Sequence, residues 1–85
     1  MDKLSALKID LGITTTAYDA RLAEYITAAE NEIEREGATL NESDDQLVVM
    51  FAAWLWRRRD SGEGMPRMVR YALNNRIFAE KMGEE

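Results

Sequence analysis

The residues best suited to binding chemistry in this chain are two tryptophans and three arginines in the stretch FAAWLWRRRDSGEG, residues 51–64. Trp54 and Trp56 stand two residues apart, and three consecutive arginines follow at 57–59. Indole and guanidinium groups are strongly enriched at the energetic centres of protein interfaces. The arginines also suit the negative end of a helix dipole, so a purely structural interpretation of them stays open.

Groups that serve catalysis or metal binding are scarce. The chain has no histidine and no cysteine, so the commonest general base, metal ligand and thiol nucleophile are missing. The acidic run NESDD at 41–45 lacks the alternating ligands and central glycine of a calcium loop. The GEG at 62–64 lacks the lysine and hydroxyl residue of a phosphate-binding loop. We therefore expect no enzymatic activity, no cofactor and no metal.

Length and composition predict one domain spanning residues 1–85, since the chain has 85 residues of which 46% are apolar. The absence of cysteine favours folding in a reducing cytoplasm. The N-terminal segment MDKLSALKIDLG has no long apolar core, so we do not expect a signal peptide. The longest apolar run covers ten residues, 47–56, which is too short to cross a bilayer.

Charge is distributed unevenly along the chain. Residues 1–46 contain eleven acids and four bases, a net charge of −7, whereas residues 47–85 contain seven bases and five acids, a net charge of +2. A molecule with an acidic half and a basic half can associate head to tail with copies of itself. The alternative is that most of these charges lie on solvated helix faces.

Periodicity predicts two helices in the N-terminal half. The first covers 2–11 and stops at Gly12. The second covers 17–36, with Thr16 as its N-cap and Asp19 three residues later, as in a capping box. Gly37 is its expected stop, and a polar connection follows at 38–43. Its apolar stripe consists of Tyr18, Leu22, Tyr25, Ile26, Ala29 and Ile33.

The third predicted helix is apolar almost all round. A capping box of Ser43 and Gln46 precedes it, and it runs from about 44 to 60. A buried strand is the competing interpretation of LVVMFAAWLW, but the acidic start, paired alanines and basic end favour a helix. Its apolar perimeter predicts a central position, with Trp54 and Trp56 on opposite sides.

A fourth helix is predicted after a turn, SGEG at 61–64. Pro66 stands near its start, and Gly83 ends it before an acidic tail. Its apolar stripe consists of Met65, Met68, Val69, Ala72, Leu73 and Ile77. The sequence thus predicts an all-α fold, a compact bundle of about four helices around a central apolar third helix.

The Trp56 side of the third helix has two possible roles. Neighbouring helices of the same chain can cover both indoles, because tryptophans mostly serve cores. Alternatively, the Trp56 side with its bordering arginines meets another subunit or a partner protein.

Nucleic-acid binding is the other use of a basic patch. Packing of the third helix against the fourth brings six arginines together, Arg57, Arg58, Arg59, Arg67, Arg70 and Arg76. The net charge of −5 is the reverse of the usual footprint of a DNA-binding domain. We therefore do not expect sequence-specific DNA binding.

The order of these features resembles the small helical head–tail connector (adaptor) proteins of long-tailed bacteriophages, often described as DNA-packaging proteins. The resemblance covers nearly the whole chain: LSALKIDLGI, the helix containing Asp19, Leu22, Ile26, Ala29 and Ile33, the segment DDQLVVMFAAWLWRRR, and the closing stretch MPRMVRYALNNRIFAEK. Some relatives grip the portal with a long C-terminal arm, and we expect any such arm to be short here.

The resemblance implies a structural role at the virion head–tail junction, after synthesis in the bacterial host cytoplasm, in an active phage or a prophage. Copies would form a ring under the portal protein, dodecameric like the portal. The ring would extend the channel for the passing genomic DNA and offer a platform to a tail-side connector or stopper protein, with no role for a membrane.

Nine residues are the predicted interface candidates: Trp56, Arg57, Arg58, Arg59, Arg67, Arg70, Asn74, Asn75 and Arg76. The two asparagines are included because adjacent asparagines inside a helix are unfavourable unless their amides are used. Surface solvation is the alternative for each residue. The sequence leaves two other functions open, a small protein–protein adaptor unrelated to virions and a regulatory DNA-binding domain.

Overall fold

Four α-helices and one short 3-10 turn form the fold in the computed structural model, which describes residues 2–62 and 64–83. In chain order the elements are α1 (Lys3–Leu11), α2 (Asp19–Arg35), the 3-10 turn (Glu42–Asp44), α3 (Asp45–Ser61) and α4 (Arg67–Gly83). No strand occurs within those two ranges, so the all-α prediction is confirmed and the strand interpretation of LVVMFAAWLW is wrong. The acidic tail after Gly83 and Glu63 of the predicted turn lie outside the described residues.

Helix α3 is the centre of the bundle, and α1, α2 and α4 all pack against it. Seven of its apolar residues are buried: Leu47, Val48, Val49, Phe51, Ala52, Ala53 and Leu55. The alanines allow neighbouring helices to approach closely, while the larger side chains fill the space on either side. The predicted central position of the third helix is therefore confirmed.

Glycines in left-handed backbone conformations end the helices. Gly12 has a φ of 72° and its N–H donates to the Ile9 carbonyl at 3.2 Å. Gly62 has a φ of 64° and its N–H donates to the Arg58 carbonyl at 2.9 Å. Gly37, with a φ of 119°, follows α2. The stops predicted at Gly12 and Gly37 are confirmed. Glycine suits both positions, because a residue without a β-carbon adopts positive φ at little cost.

The predicted N-cap of α2 is wrong. The Thr16 carbonyl accepts a hydrogen bond from the Asp19 N–H at 3.2 Å, so the chain makes a turn first and α2 begins at Asp19. The Asp19 carboxylate does not close a capping box either, because it pairs with Lys8 of α1 at 2.8 Å. Asp19 thus links α1 to α2 through an ion pair, whereas the sequence predicted that it would cap α2.

The capping box before α3 lies two residues earlier than predicted. Asn41 Oδ1 accepts the Ser43 N–H at 2.9 Å, and Asp44 Oδ2 accepts the Asn41 N–H at 3.0 Å. This box starts the 3-10 turn, so Ser43 does not cap α3. The connection predicted to be polar, residues 38–43, also contributes to the core, because Ala38 is buried and Leu40 is half-buried.

Helix α4 packs over a smaller part of α3 than α2 does. Its inner side buries Val69 and Leu73, with Ala72 and Ile77 half-buried. The prediction that Met68 belongs to this inner stripe is wrong, because its side chain is 74% exposed. A neighbouring helical residue lies about 100° away, so burial of Val69 turns Met68 outward.

Candidate protein-binding surface

Trp56 lies half-buried against the start of α2. Its ring meets the rings of Tyr18 and Tyr25 edge to face, at centroid distances of 5.6 and 5.7 Å. The Arg59 guanidinium lies over the same indole, 3.6 Å from the ring centroid. The remaining part of the indole reaches solvent, so an aromatic ring and a cation together form an accessible surface.

Trp54 lies on the other side of α3. Its Nε1 donates to the Gly64 carbonyl at 3.1 Å, and its ring meets Phe51 edge to face at 5.4 Å. Arg58 covers this second indole at 4.9 Å from the ring centroid. The prediction that the two tryptophans face different neighbours is confirmed.

The three arginines at the end of α3 therefore point to three different places. Arg58 and Arg59 each lie over a separate indole, whereas Arg57 reaches Asp10 of α1 at 3.5 Å. All three side chains are exposed. Stacking on an indole restricts a guanidinium without neutralising its charge, so Arg58 and Arg59 are oriented cations at the surface.

Arg76 occupies a different environment, an ion-pair network inside the chain. Its Nε donates to Asp44 Oδ1 at 2.7 Å, and its Nη2 donates to the Thr39 carbonyl at 2.6 Å. Nη2 also pairs with Glu80 Oε1 at 3.0 Å, and that oxygen accepts the Thr39 N–H at 2.7 Å. The Asp44 carboxylate is almost fully buried, so Arg76 neutralises a charge that water hardly reaches. The network fastens α4 to the segment before α3.

Two pKa values respond to this network. The hydrogen bond from the Thr39 N–H, together with Arg76, lowers the pKa of Glu80 below its ordinary 4.5. The hydrogen bond to Asp44 raises the pKa of Arg76. A lowered carboxyl pKa contributes stability above the unfolded value, and this contribution is lost as the pH falls through the folded value.

We expect the free energy of unfolding to fall as the pH drops below about 4.5, partly through protonation of Glu80. Glu80→Gln removes the titrating group while keeping an acceptor for the Thr39 N–H. Urea unfolding at a series of pH values from 6 to 3 should therefore show a smaller loss for Glu80→Gln than for the unaltered chain. Identical losses in the two proteins would exclude a contribution from Glu80.

The other predicted candidates on α4 are exposed. Arg67, Asn74 and Asn75 lie at the surface, and Arg70 is about half exposed, 3.9 Å from Glu36. Trp56 packs against Tyr18 and Tyr25, whereas Arg70 lies beside Glu36, just past the end of α2. The structure thus divides the nine candidates into three sets. They are the Trp56 end (Trp56 and residues 57–59), an exposed α4 group (Arg67, Arg70, Asn74 and Asn75) and the internal Arg76.

A groove of about 500 Å³ lies between these two exposed groups. Its apolar lining comes from α3, from α2 and from Met65: Phe51, Trp54, Leu55, Tyr25, Ala28 and Met65. Two acids, Glu32 and Glu36, and two arginines, Arg58 and Arg70, also line the groove. Apolar lining with charges of both signs is typical of a surface that binds protein.

Sequence reasoning missed two features of this surface. Asp44 and Glu80 were not recognised as partners of Arg76, because a contact across more than thirty residues leaves no local pattern. The exposed apolar side of α4 was also missed, although steps of three and four residues at 68, 71, 75, 78 and 82 signal it.

Oriented arginines beside half-buried indoles are typical of surfaces that bind proteins. Among residues 2–62 and 64–83, no cluster of acids is placed to hold a metal ion. Within the same ranges, no helix is both long and apolar enough to cross a membrane.

The chain belongs to the phage gp6-like head-tail connector protein family, whose model matches residues 1–80. No curated protein matches the chain. No solved structure matches it either. The resemblance drawn from the sequence is therefore confirmed at the level of the family.

Family membership assigns a role as a phage head–tail connector, a structural protein of the virion. The family is not known for catalysis. Membership in the family implies interaction with phage portal and tail proteins and a location in the virus particle.

Proposed function

We propose that copies of this chain form a ring under the portal, with residues 1–85 acting as one connector domain. The ring extends the DNA channel and presents a platform to the tail-side stopper protein. It is dodecameric in the virion, matches the portal, and assembles at the head–tail junction after synthesis in the host cytoplasm. The family match over residues 1–80 carries this proposal.

The charge distribution supports a ring. An acidic N-terminal half and a basic C-terminal half suit a contact between two different faces, which closes into a ring when the rotation between copies allows it. Among the predicted interface residues, Trp56, Arg57, Arg58 and Arg59 belong to one exposed end of the protomer. Arg67, Arg70, Asn74 and Asn75 provide a second surface, on α4.

Arg76 acts in this proposal through the fold. Its guanidinium is occupied by Asp44, Glu80 and the Thr39 carbonyl, so it orients α4 and thereby the interface residues on that helix. This role differs from the direct contact expected from the sequence.

Genomic DNA passes the ring without sequence-specific binding. An acidic protein repels a polyanion and so lets it slide, and the net charge of −5 has the required sign. We expect no measurable affinity for duplex DNA at moderate salt. Tight, salt-sensitive binding would instead favour the regulatory DNA-binding alternative.

The test is binding to the purified portal protein of the same phage, followed by light scattering over a concentration series. We expect a complex whose mass corresponds to a ring on the portal. Reversing the two stacked arginines, Arg58→Glu with Arg59→Glu, should weaken this complex by about tenfold or more, since unpaired interface charges are costly.

The matched control reverses two exposed arginines of α2, Arg21→Glu with Arg35→Glu. Because both pairs of substitutions change the net charge equally, a loss confined to Arg58 and Arg59 identifies a specific contact. Equal weakening by both pairs would leave only a general charge effect. A chain that neither assembles nor binds portal would favour an adaptor unrelated to virions.

A further inference from the structure

The outward side of α4 carries large apolar side chains that the described part of the chain leaves uncovered. Four of them are more than half exposed, Met68 (74%), Tyr71 (62%), Phe78 (65%) and Met82 (58%). Together with Asn75 they follow steps of three and four residues, which places all five on one line along the helix. We name these five residues the α4 stripe.

The spacing of the α4 stripe equals that of the two apolar positions in a coiled-coil heptad. Its central member is the polar Asn75, and one asparagine in such a seam specifies register and oligomer state at some cost in stability. Two exposed aromatic rings and two exposed methionines on either side of Asn75 form apolar surface of the kind that marks a binding site. A helix is therefore the expected partner.

One edge of the α4 stripe is basic. At 100° per residue, Arg67, Arg70 and Lys81 all fall on the same side of the stripe. Residues 67–83 contain a single acid, Glu80, which is engaged by Thr39 and Arg76. A partner helix that presents acids beside small side chains would complement this side of α4 in both charge and shape.

We propose that the α4 stripe binds the outer face of α2 in a second copy of the chain. This outer face consists of five exposed residues, again at steps of four and three: Ala20, Glu24, Thr27, Asn31 and Glu34. Ala20 and Thr27, with Ala23 and Ala28 beside them, leave room for the rings of the α4 stripe. Large side chains on one helix thus meet small ones on the other.

The charges of the two faces are spaced alike. Glu24 and Glu34 are ten residues apart, about 15 Å along the helix, and Arg70 and Lys81 are eleven residues apart, about 16.5 Å. The separations along the two helix axes therefore match for the pairs Glu24–Arg70 and Glu34–Lys81 in a parallel alignment. Arg21 approaches Glu24 only to 3.9 Å, and the Glu24 side chain stays 77% exposed.

The contact joins two different faces, so it is heterologous and generates a ring or a filament. It rests on the proposed function for its biological setting, and it names the surfaces through which neighbouring copies meet. The Trp56 end is not part of this contact and stays available to another protein.

Disulfide trapping tests the pairing directly, because the chain contains no cysteine of its own. An Asn75→Cys chain is mixed with a Thr27→Cys chain under mild oxidation, and the rate of mixed dimer formation is measured. The control mixture pairs Asn75→Cys with Thr14→Cys, an exposed position outside both faces. We expect the Thr27 mixture to react roughly tenfold faster, because docking raises the effective thiol concentration.

Charge reversal sharpens the test. Lys81→Glu in the Asn75→Cys chain should slow the reaction, and Glu34→Lys in the Thr27→Cys chain should restore it. A rate equal to that of the Thr14 control overturns the inference, as does preferential self-coupling of Asn75→Cys, which would indicate pairing of α4 with α4. Portal binding by the unaltered chain distinguishes that result from a failure of the proposed function.

Discussion

Arg76→Ala should lower the free energy of unfolding by about 2–3 kcal/mol, because it leaves the buried Asp44 carboxylate without its cation. The Thr39 carbonyl loses a donor in the same substitution. A domain of this size has a total stability of about 4–13 kcal/mol, so the loss is a substantial fraction. Urea unfolding followed by circular dichroism measures it.

Arg70→Ala is the control for Arg76→Ala. Arg70 is also an arginine of α4, but its contact with Glu36 is long and exposed, so its loss should cost less than about 1 kcal/mol. The double variant Asp44→Ala with Arg76→Ala should recover part of the stability, since no buried charge remains. Equal effects of Arg76→Ala and Arg70→Ala would contradict the role assigned to the network.

Leu73→Ala should cost about 3 kcal/mol and release α4 before the rest of the bundle unfolds. The Leu73 side chain is fully buried, and truncating a buried leucine loses its transfer free energy and leaves a cavity. Because α4 packs over a small part of α3, its attachment depends on few side chains. Amide hydrogen exchange should accelerate in α4 while α2 stays protected.

Tyr71→Ala provides the comparison on the same helix. Tyr71 lies two residues away and is 62% exposed, so its truncation should change stability by no more than about 0.5 kcal/mol. Unchanged exchange of α4 would mean that its attachment does not depend on Leu73, and equal acceleration of α2 would mean that α4 is part of a single cooperative unit. The local release would then be excluded.

The helical architecture was predictable because its signals are local. The apolar stripe of α2 and the glycine stops are set within a few residues, and α3 could be placed centrally because its apolar residues occupy nearly its whole perimeter. Helix starts were less predictable. Several nearby donors and acceptors can serve as each cap. Asp19 forms an ion pair with Lys8 and does not cap α2, and Asn41 caps the chain before Ser43 can do so.

The candidate surface was predictable only in part. The opposite orientations of Trp54 and Trp56 follow from helical geometry, so the sequence sufficed for them. The involvement of Arg76 with Asp44 depends on how α4 crosses the segment before α3, and periodicity does not encode that crossing. Met68 shows the same difficulty, since two apolar stripes on one helix leave open which of them faces the core.

The Arg76 network also has a consequence for how α4 is rolled about its own axis. A planar guanidinium that donates in fixed directions to Asp44 and to Thr39 holds the helix at one rotation angle, which apolar packing of small side chains does much less strictly. That angle determines the direction in which the Tyr71 and Phe78 side chains point. The Arg76 network on the inner side of α4 thus fixes the direction in which the α4 stripe faces.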